Sequence, residues 1–150
     1  MLKSMHRKPI IIVPGQPKSI FFEIFFKSLN IKKIKSPLIL VCSVNLFNLN
    51  AKKYKLNKKI NLINSELTKI KLINNYIYIL DIELKKSISS KTQLNYNKQY
   101  LKNCFDESFK LLKKNFTYKF LNGPINKKDF LGKDYLGITE YISNSFNQKK

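Results

Sequence analysis

Two short glycine-containing runs near the end of the chain hold the residues best suited to bind a ligand. Leu121–Lys128 contains a Gly-Pro pair, and Leu136–Tyr141 reads Leu-Gly-Ile-Thr-Glu-Tyr. The chain has four glycines, and three of them lie in or between these runs. A strand that ends in a turn, and a turn that opens a helix, are places where α/β proteins hold anionic ligands. We therefore predict an anion-binding corner here, with Thr139 at or near the start of the helix.

The remaining glycine lies in a similar turn near the start of the chain. Residues 14–19 (Pro-Gly-Gln-Pro-Lys-Ser) follow a short apolar run, and Ser19 is suited to cap a helix. Taken alone, each turn is as compatible with a simple connection as with ligand binding. The sequence indicates no other backbone that would face a ligand.

Side chains that commonly perform catalysis are scarce. His6 is the one histidine and lies in a basic N-terminal stretch, so neither cysteine has an evident base as partner. Cys42 and Cys104 fall in apolar patterns, which predicts buried free thiols. The nine acidic residues include no pair with metal-binding spacing, and the sequence has no nucleotide-binding glycine motif. The residues alone therefore identify no catalytic group, no cofactor-binding residue and no metal ligand.

The net charge of +20 raises the question of an anionic partner. Of the 29 basic residues only Arg7 is an arginine, although arginine is favoured where phosphates or bases are gripped. The lysines are scattered along the chain, and their abundance together with asparagine and isoleucine is typical of an AT-rich coding sequence. Nucleic acid is therefore the less favoured partner, whereas a basic surface would still attract a phosphorylated small molecule.

Apolar, β-branched runs alternate with helical patterns along the chain. Such runs suit strands that are buried on both faces of a sheet. Strands are predicted at Pro9–Val13, Pro37–Ser43, Lys58–Ile63, Tyr76–Ile82 and Tyr118–Leu121, and helices at Ser19–Leu29, Asn45–Tyr54, Tyr96–Asn115 and Thr139–Phe146. Residues 83–95 are predicted to form an exposed loop, and residues 67–75 are left unassigned. This order predicts a three-layer α/β/α fold with a mostly parallel sheet.

The domain organisation is predicted to be simple. Residues 1–8 form a basic leader, and residues 9–150 form one α/β portion without an internal boundary. No apolar run approaches the roughly 20 residues of a membrane helix, and the N-terminus lacks a secretory pattern, so we expect a cytoplasmic protein without a membrane partner. The last helix runs into the end of the chain where an α/β sheet would usually continue. We expect this chain to be the N-terminal part of a longer protein, whether as a fragment, the product of a split gene or a decayed copy. We also expect the isolated chain to be prone to aggregation.

Three motifs together resemble the 4-hydroxythreonine-4-phosphate dehydrogenase family of vitamin B6 (pyridoxal phosphate) biosynthesis. They are the segments Pro14-Gly15-Gln16-Pro17, Gly123-Pro124-Ile125-Asn126-Lys127 and Gly137-Ile138-Thr139-Glu140. The family carries a Pro-Gly-acid-Pro turn, a Gly-Pro-(Ile/Val)-x-Lys segment and a Gly-His-Thr-Glu segment in this order. The resemblance implies that Thr139 contacts substrate. Ile138 stands at the family's substrate-contacting histidine, and Gln16 replaces the usual acid.

The resemblance implies an enzyme that oxidises a phosphorylated hydroxy-amino acid with NAD, after which the β-keto acid decarboxylates. It implies a divalent metal (Zn, Mg or Co) as a Lewis acid, a homodimer when the chain is full length, and an isocitrate dehydrogenase-like fold that is incomplete here. The family's metal ligands and NAD-contacting segments belong to a second half that this sequence does not contain, so we expect this chain alone to be inactive. The alternatives are a basic nucleic-acid-binding α/β module and an inactive remnant of the dehydrogenase.

Overall fold

The computed structural model describes residues 7–56, 58–64, 66, 71–74 and 76–147, and these form a five-stranded sheet with helices. In chain order the strands are β1 (Ile10–Val13), β2 (Leu38–Cys42), β3 (Lys59–Ile63), β4 (Tyr76–Asp81) and β5 (Lys119–Asn122). Their spatial order is β3-β4-β2-β1-β5, and all neighbours are parallel. The predicted α/β class is confirmed, with a sheet that is parallel throughout.

Helices cover both faces of the sheet. They are α1 (Phe21–Ile31), α2 (Val44–Lys53), α3 (Ser90–Lys113), α4 (Lys127–Phe130) and α5 (Ile138–Asn147). The first two pack on one face and the last three on the other, which gives the predicted three layers. The central strand β2 is buried along its whole length, as its uninterrupted apolar sequence predicts.

Phenylalanines of α1 form the core of the first face. Phe21, Phe22, Phe25 and Phe26 are all buried, because residues at this spacing lie on one side of a helix. The rings of Phe22 and Phe26 meet Phe47 of α2, with centroid distances of 6.1 and 5.5 Å. These aromatic residues therefore hold α1 and α2 together on the sheet.

A single ring joins the elements of the second face. Phe105 of α3 is fully buried. Its centroid lies between 5.4 and 6.0 Å from the rings of Phe109, Phe120, Phe130 and Tyr141. Since these rings belong to α3, β5, α4 and α5, this cluster fixes the last third of the chain against the sheet.

The structure corrects part of one predicted loop. Helix α3 begins at Ser90 instead of Tyr96, so residues 90–95 are helical. Ser89 is the N-cap, and its hydroxyl accepts a hydrogen bond from the backbone N–H of Thr92 at 3.5 Å. This first part of the helix is largely exposed. It therefore shows no apolar period, and its sequence resembles that of a loop.

Two further helix starts differ from the prediction. Helix α1 has Ile20 at its N-cap, and the predicted cap, Ser19, accepts only a hydrogen bond from the Phe21 N–H at 3.4 Å. The short helix α4 was not predicted, because a single turn has no period. Its cap is Asn126, whose side-chain oxygen accepts a hydrogen bond from the Asp129 N–H at 3.3 Å.

Some predictions lie partly or wholly outside the described residues. Residues 1–6 of the basic leader do, as do 67–70 and 75 of the unassigned stretch. Residues 7 and 8 are exposed and precede β1. The boundary between leader and α/β portion stays a prediction. None of the described helices is long and apolar enough to cross a membrane.

Replacing Phe105 with alanine should remove the ring that joins four elements. We expect Phe105→Ala to lower the free energy of unfolding by about 3–5 kcal/mol, as for large core truncations. Phe146→Ala, at a ring that is 40% exposed, should cost about 1 kcal/mol or less. Urea unfolding followed by circular dichroism measures both, and equal losses would contradict the central role of Phe105.

Candidate functional site

The chain leaves β1 and β5, which are neighbours, toward opposite faces of the sheet. Helix α1 follows β1 onto one face, and α4 and α5 follow β5 onto the other. The register pairs Val13 with Asn122, the last residue of each strand. In open α/β sheets, ligands bind in the crevice that forms where successive connections diverge in this way. The structure therefore brings the two predicted turns, residues 14–19 and 123–126, together at one switch point, where the topology predicts a ligand crevice. We name this place the switch-point crevice.

Main-chain contact between two glycines closes the floor of this crevice. Gly15 has a φ of +90°, and a Cβ added there would overlap the Pro124 carbonyl and lie 2.9 Å from the carbonyl carbon of Gly123. A Cβ added at Gly123 would overlap the Pro14 carbonyl and lie 2.7 Å from the Phe21 ring. Both positions therefore require glycine, one of them also for its backbone conformation.

Hydrogen bonds across the crevice use the backbone amides of both turns. The Gln16 N–H donates to the Pro124 carbonyl at 2.9 Å, and the Gly123 N–H donates to the Val13 carbonyl at 2.7 Å. The Asn122 side-chain amide donates to the Gly123 carbonyl at 3.0 Å. These amides are satisfied within the protein, so the predicted anion-binding corner cannot use them. The Gln16 side chain, which is half-buried, lies at the same place.

The second predicted motif lies at the start of α5. Thr139 is exposed in the first turn of this helix, whereas Ile138 is half-buried and packs against the core of the second face. The Glu140 carboxylate accepts a hydrogen bond from the Leu136 N–H at 2.7 Å and closes the preceding turn. The Thr139 hydroxyl is thus accessible to a ligand, while Ile138 offers an apolar surface only. Their roles toward a substrate stay predictions.

A cleft of about 430 Å³ lies beside α5, between α3 and the segment around α4. Its lining includes the cations Lys98 and Lys102 and the tyrosines Tyr135 and Tyr141, whose rings pack edge to face with centroids 5.3 Å apart. Burial raises the pKa of Tyr141 to about 12, so its hydroxyl stays protonated at neutral pH and can donate. This volume suits a small metabolite. The sequence did not reveal the cleft, because its walls come from separate segments.

One acidic residue of the carboxyl edge, Asp81, has a structural partner. Asp81, at the end of β4, accepts a hydrogen bond from the Val44 N–H at 2.8 Å. A carboxylate there stabilises the N-terminus of α2. Within the described ranges, no group of three histidine, cysteine, aspartate or glutamate side chains could hold a metal ion.

Both thiols are buried and free, as predicted. Cys42 lies on β2 and Cys104 on α3, and Tyr100 reaches between these elements to accept a hydrogen bond from the Ser43 N–H at 3.0 Å. Burial raises the pKa of Cys42, of Cys104 and of Tyr100 above the ordinary values. All three groups are therefore protonated at neutral pH, and the thiols are unsuited to act as nucleophiles.

Comparison with known proteins gives likenesses in structure only. The sequence matches no family model and no curated protein. A protein assigned as 4-hydroxythreonine-4-phosphate dehydrogenase from Salmonella typhimurium shares 21% identity at a TM-score of 0.72, over 92% of this chain and 44% of its own. The enzymes of that name from Burkholderia phymatum and Klebsiella pneumoniae each give a TM-score of 0.70, at 17% and 18% identity.

These likenesses bear on the fold. They cover 92% to 95% of this chain, and in each case the chain spans 44% of the length of the solved structure. The predicted resemblance is therefore confirmed as a similarity of structure to chains with that name. At this identity it supports the fold, while activity and substrate need separate support.

The glycine contact gives a direct test of the crevice. We expect Gly123→Ala to lower the free energy of unfolding by about 2 kcal/mol or more, because two backbones and a ring must move apart. Gly137→Ala is the matched control, since nothing lies within 4 Å of a Cβ added there. That variant should stay within about 0.5 kcal/mol of the original. Urea unfolding measures both variants. Similar decreases in their free energy of unfolding would contradict the close packing of the two turns.

The buried thiols and Tyr100 predict a loss of stability at alkaline pH. Above the ordinary thiol pKa of 9.0, the unfolded chain releases protons that the folded chain keeps. The free energy of unfolding should be steady below that pH and then fall, by up to about 1.4 kcal/mol per pH unit for each such group. Urea midpoints at pH 7, 8, 9 and 10 measure this, and Cys104→Ala should reduce the slope. Equal midpoints at pH 8 and 10 would contradict the burial of these groups.

Proposed function

We propose that this chain is the N-terminal part of an enzyme like 4-hydroxythreonine-4-phosphate dehydrogenase, which oxidises a phosphorylated hydroxy-amino acid with NAD. One observation carries the proposal. A fold similar to three chains of that name extends over nearly all of this chain, and the three resembling motifs occur in it in the family's order.

The geometry supports this proposal at two points. The first two motifs meet in the switch-point crevice, where α/β proteins bind ligands. The third motif exposes the Thr139 hydroxyl in the first turn of α5, and a helix N-terminus attracts anionic groups. Thr139 would donate a hydrogen bond to the substrate. Ile138 would provide an apolar contact in place of the family's histidine.

The described residues do not fit the metal that this activity requires. No group of three suitable side chains lies close enough together in the described ranges, and the carboxylate of Asp81 already accepts a hydrogen bond from the start of α2. The proposal therefore assigns the divalent metal, the NAD site and the hydride transfer to protein outside this sequence. This chain would contribute one wall of the substrate site.

Substrate binding by this wall can be measured by NMR. We expect 4-hydroxythreonine 4-phosphate to shift the backbone amide signals of Gly137 and Thr139, and NAD alone to shift none. Thr139→Ala should weaken binding about tenfold to a hundredfold, because a hydrogen bond to a charged group contributes about 1.5–3 kcal/mol. Ser143→Ala, in the next turn of the same helix, should leave the affinity unchanged.

Inorganic phosphate separates recognition of the substrate from attraction to a basic protein. Phosphate should shift the amide signals less than 4-hydroxythreonine 4-phosphate does, and it should compete poorly with that compound for binding. Equal shifts with both compounds, or shifts confined to lysines far from α5, would contradict the proposed substrate. Unchanged binding by Thr139→Ala would contradict the assigned role of that residue.

A further inference from the structure

The amino-terminal ends of the strands form one continuous edge of the sheet, opposite the switch-point crevice. Hydrogen bonds tie its connections together. The Thr117 hydroxyl donates to the Pro9 carbonyl at 2.7 Å, and the Ile10 N–H donates to the Pro37 carbonyl at 2.9 Å. The Lys119 ammonium donates to the Ser36 hydroxyl at 3.4 Å. Segments from the start, the first third and the last third of the chain therefore meet at this edge.

These connections are basic and contain no acidic residue. Four segments lead into β1, β2, β3 and β5, namely residues 7–9, 32–37, 54–59 and 114–119. Together they carry ten cations and none of the nine acidic residues, the cations being Arg7, Lys8, Lys32, Lys33, Lys35, Lys55, Lys58, Lys59, Lys114 and Lys119. We name these ten residues the amino-edge surface. Nine of the 28 lysines, together with Arg7, thus lie at one edge of the sheet although they are scattered along the sequence.

Little in the described part of the chain neutralises this charge. Its ion pairs join Lys27 to Glu23, Lys102 to Asp106 and Lys110 to Glu107, and none includes a member of the amino-edge surface. The C-termini of α1, α2 and α3 point to this edge, but each contributes roughly half a negative charge. Ten cations therefore exceed the compensation available, and the surface is suited to an anionic partner.

The cations follow the edge of the sheet in a row. In spatial order they precede β3, β2, β1 and β5, and only the place of β4 between β3 and β2 interrupts them. With strands about 4.8 Å apart, the row extends roughly 19 Å. A row of this length matches an extended chain of negative charges better than a single phosphate.

Tyrosine rings lie among the cations. Lys8 lies over the ring of Tyr118 at 5.2 Å, and Lys59 lies over Tyr76 at 5.7 Å. Tyr118 is 75% exposed, so its ring can stack with a planar group. Lysines along a backbone path with exposed aromatic rings between them are the features by which proteins bind single strands without sequence preference.

We propose that the amino-edge surface binds single-stranded nucleic acid through its phosphates, with a base stacked on Tyr118. Arginine, which reads bases through bidentate hydrogen bonds, is represented on this surface by Arg7 alone, so we expect the binding not to depend on base sequence. A membrane surface is the less favoured partner, because no described amphipathic helix lies along this edge. The crevice and the start of α5, where Thr139 lies, are at the opposite edge, so this activity is independent of the proposed dehydrogenase function.

Fluorescence anisotropy of a labelled 20-nucleotide oligouridylate tests the proposal with the full chain. We expect binding at 50 mM NaCl, with log K falling linearly against log salt by about 0.7 for each phosphate contacted. Lys32→Gln/Lys33→Gln/Lys35→Gln should weaken binding at least tenfold and reduce the salt slope by about 2. The matched control, Lys85→Gln/Lys86→Gln/Lys91→Gln, removes the same charge from the carboxyl edge and should change affinity less than threefold.

Tyr118 distinguishes stacking from simple charge attraction. Tyr118→Ala should weaken binding about tenfold, whereas Tyr118→Phe keeps the ring and should retain the affinity. No binding at 50 mM NaCl, or equal losses in the two triple variants, would overturn the proposal. Vesicles of 30% phosphatidylserine and 70% phosphatidylcholine provide the membrane comparison. Binding to these vesicles without binding to the oligonucleotide would also overturn it.

Discussion

The main-chain contact between Gly15 and Gly123 is the constraint on which the carboxyl edge of this protein depends. Two turns can approach this closely only where neither carries a side chain. The Phe21 ring occupies the remaining space beside Gly123, and Phe21 is also the first residue of α1. The same contact therefore fixes the end of β1, the end of β5 and the start of α1. The Gln16 and Gly123 backbone amides bond across the contact, so these two amides are not free to bind a ligand.

Much of the fold could be predicted because a buried strand is recognisable from its own sequence, without knowledge of the strands beside it. Leu38–Cys42 is apolar at every position, so it is read as a buried strand whatever lies beside it. The neighbours of each strand could not be predicted, since all buried parallel strands have this composition. The start of α3 was missed for a related reason. A helix is recognised in a sequence by the spacing of the apolar residues that it buries. Residues 90–95 are helical but are not buried in the core, so they show no such spacing.

The candidate site shows the same division between local and spatial information. The scarcity of glycine identified Gly15 and Gly123, because a backbone requirement is visible in the sequence. That these turns touch each other follows from the β1–β5 pairing, which only the structure provides. The cleft between α3 and α5 had no sequence signal, since Lys98 and Tyr141 become neighbours only through packing. A sequence can therefore indicate single residues of such a site, but not which elements of the fold come together to form it.

The distribution of charge needs more than composition to explain it. An AT-rich coding sequence adds lysine wherever the encoded side chain is tolerated, without regard to its place in the fold. It does not account for four separate connections that all lack acidic residues and all meet at one edge. Helix dipoles favour lysine near the ends of α2 and α3, but they do not act on Arg7 and Lys8, which precede the first strand. The clustering of like charges costs free energy through mutual repulsion, and a bound polyanion would offset this cost by its attraction to each cation.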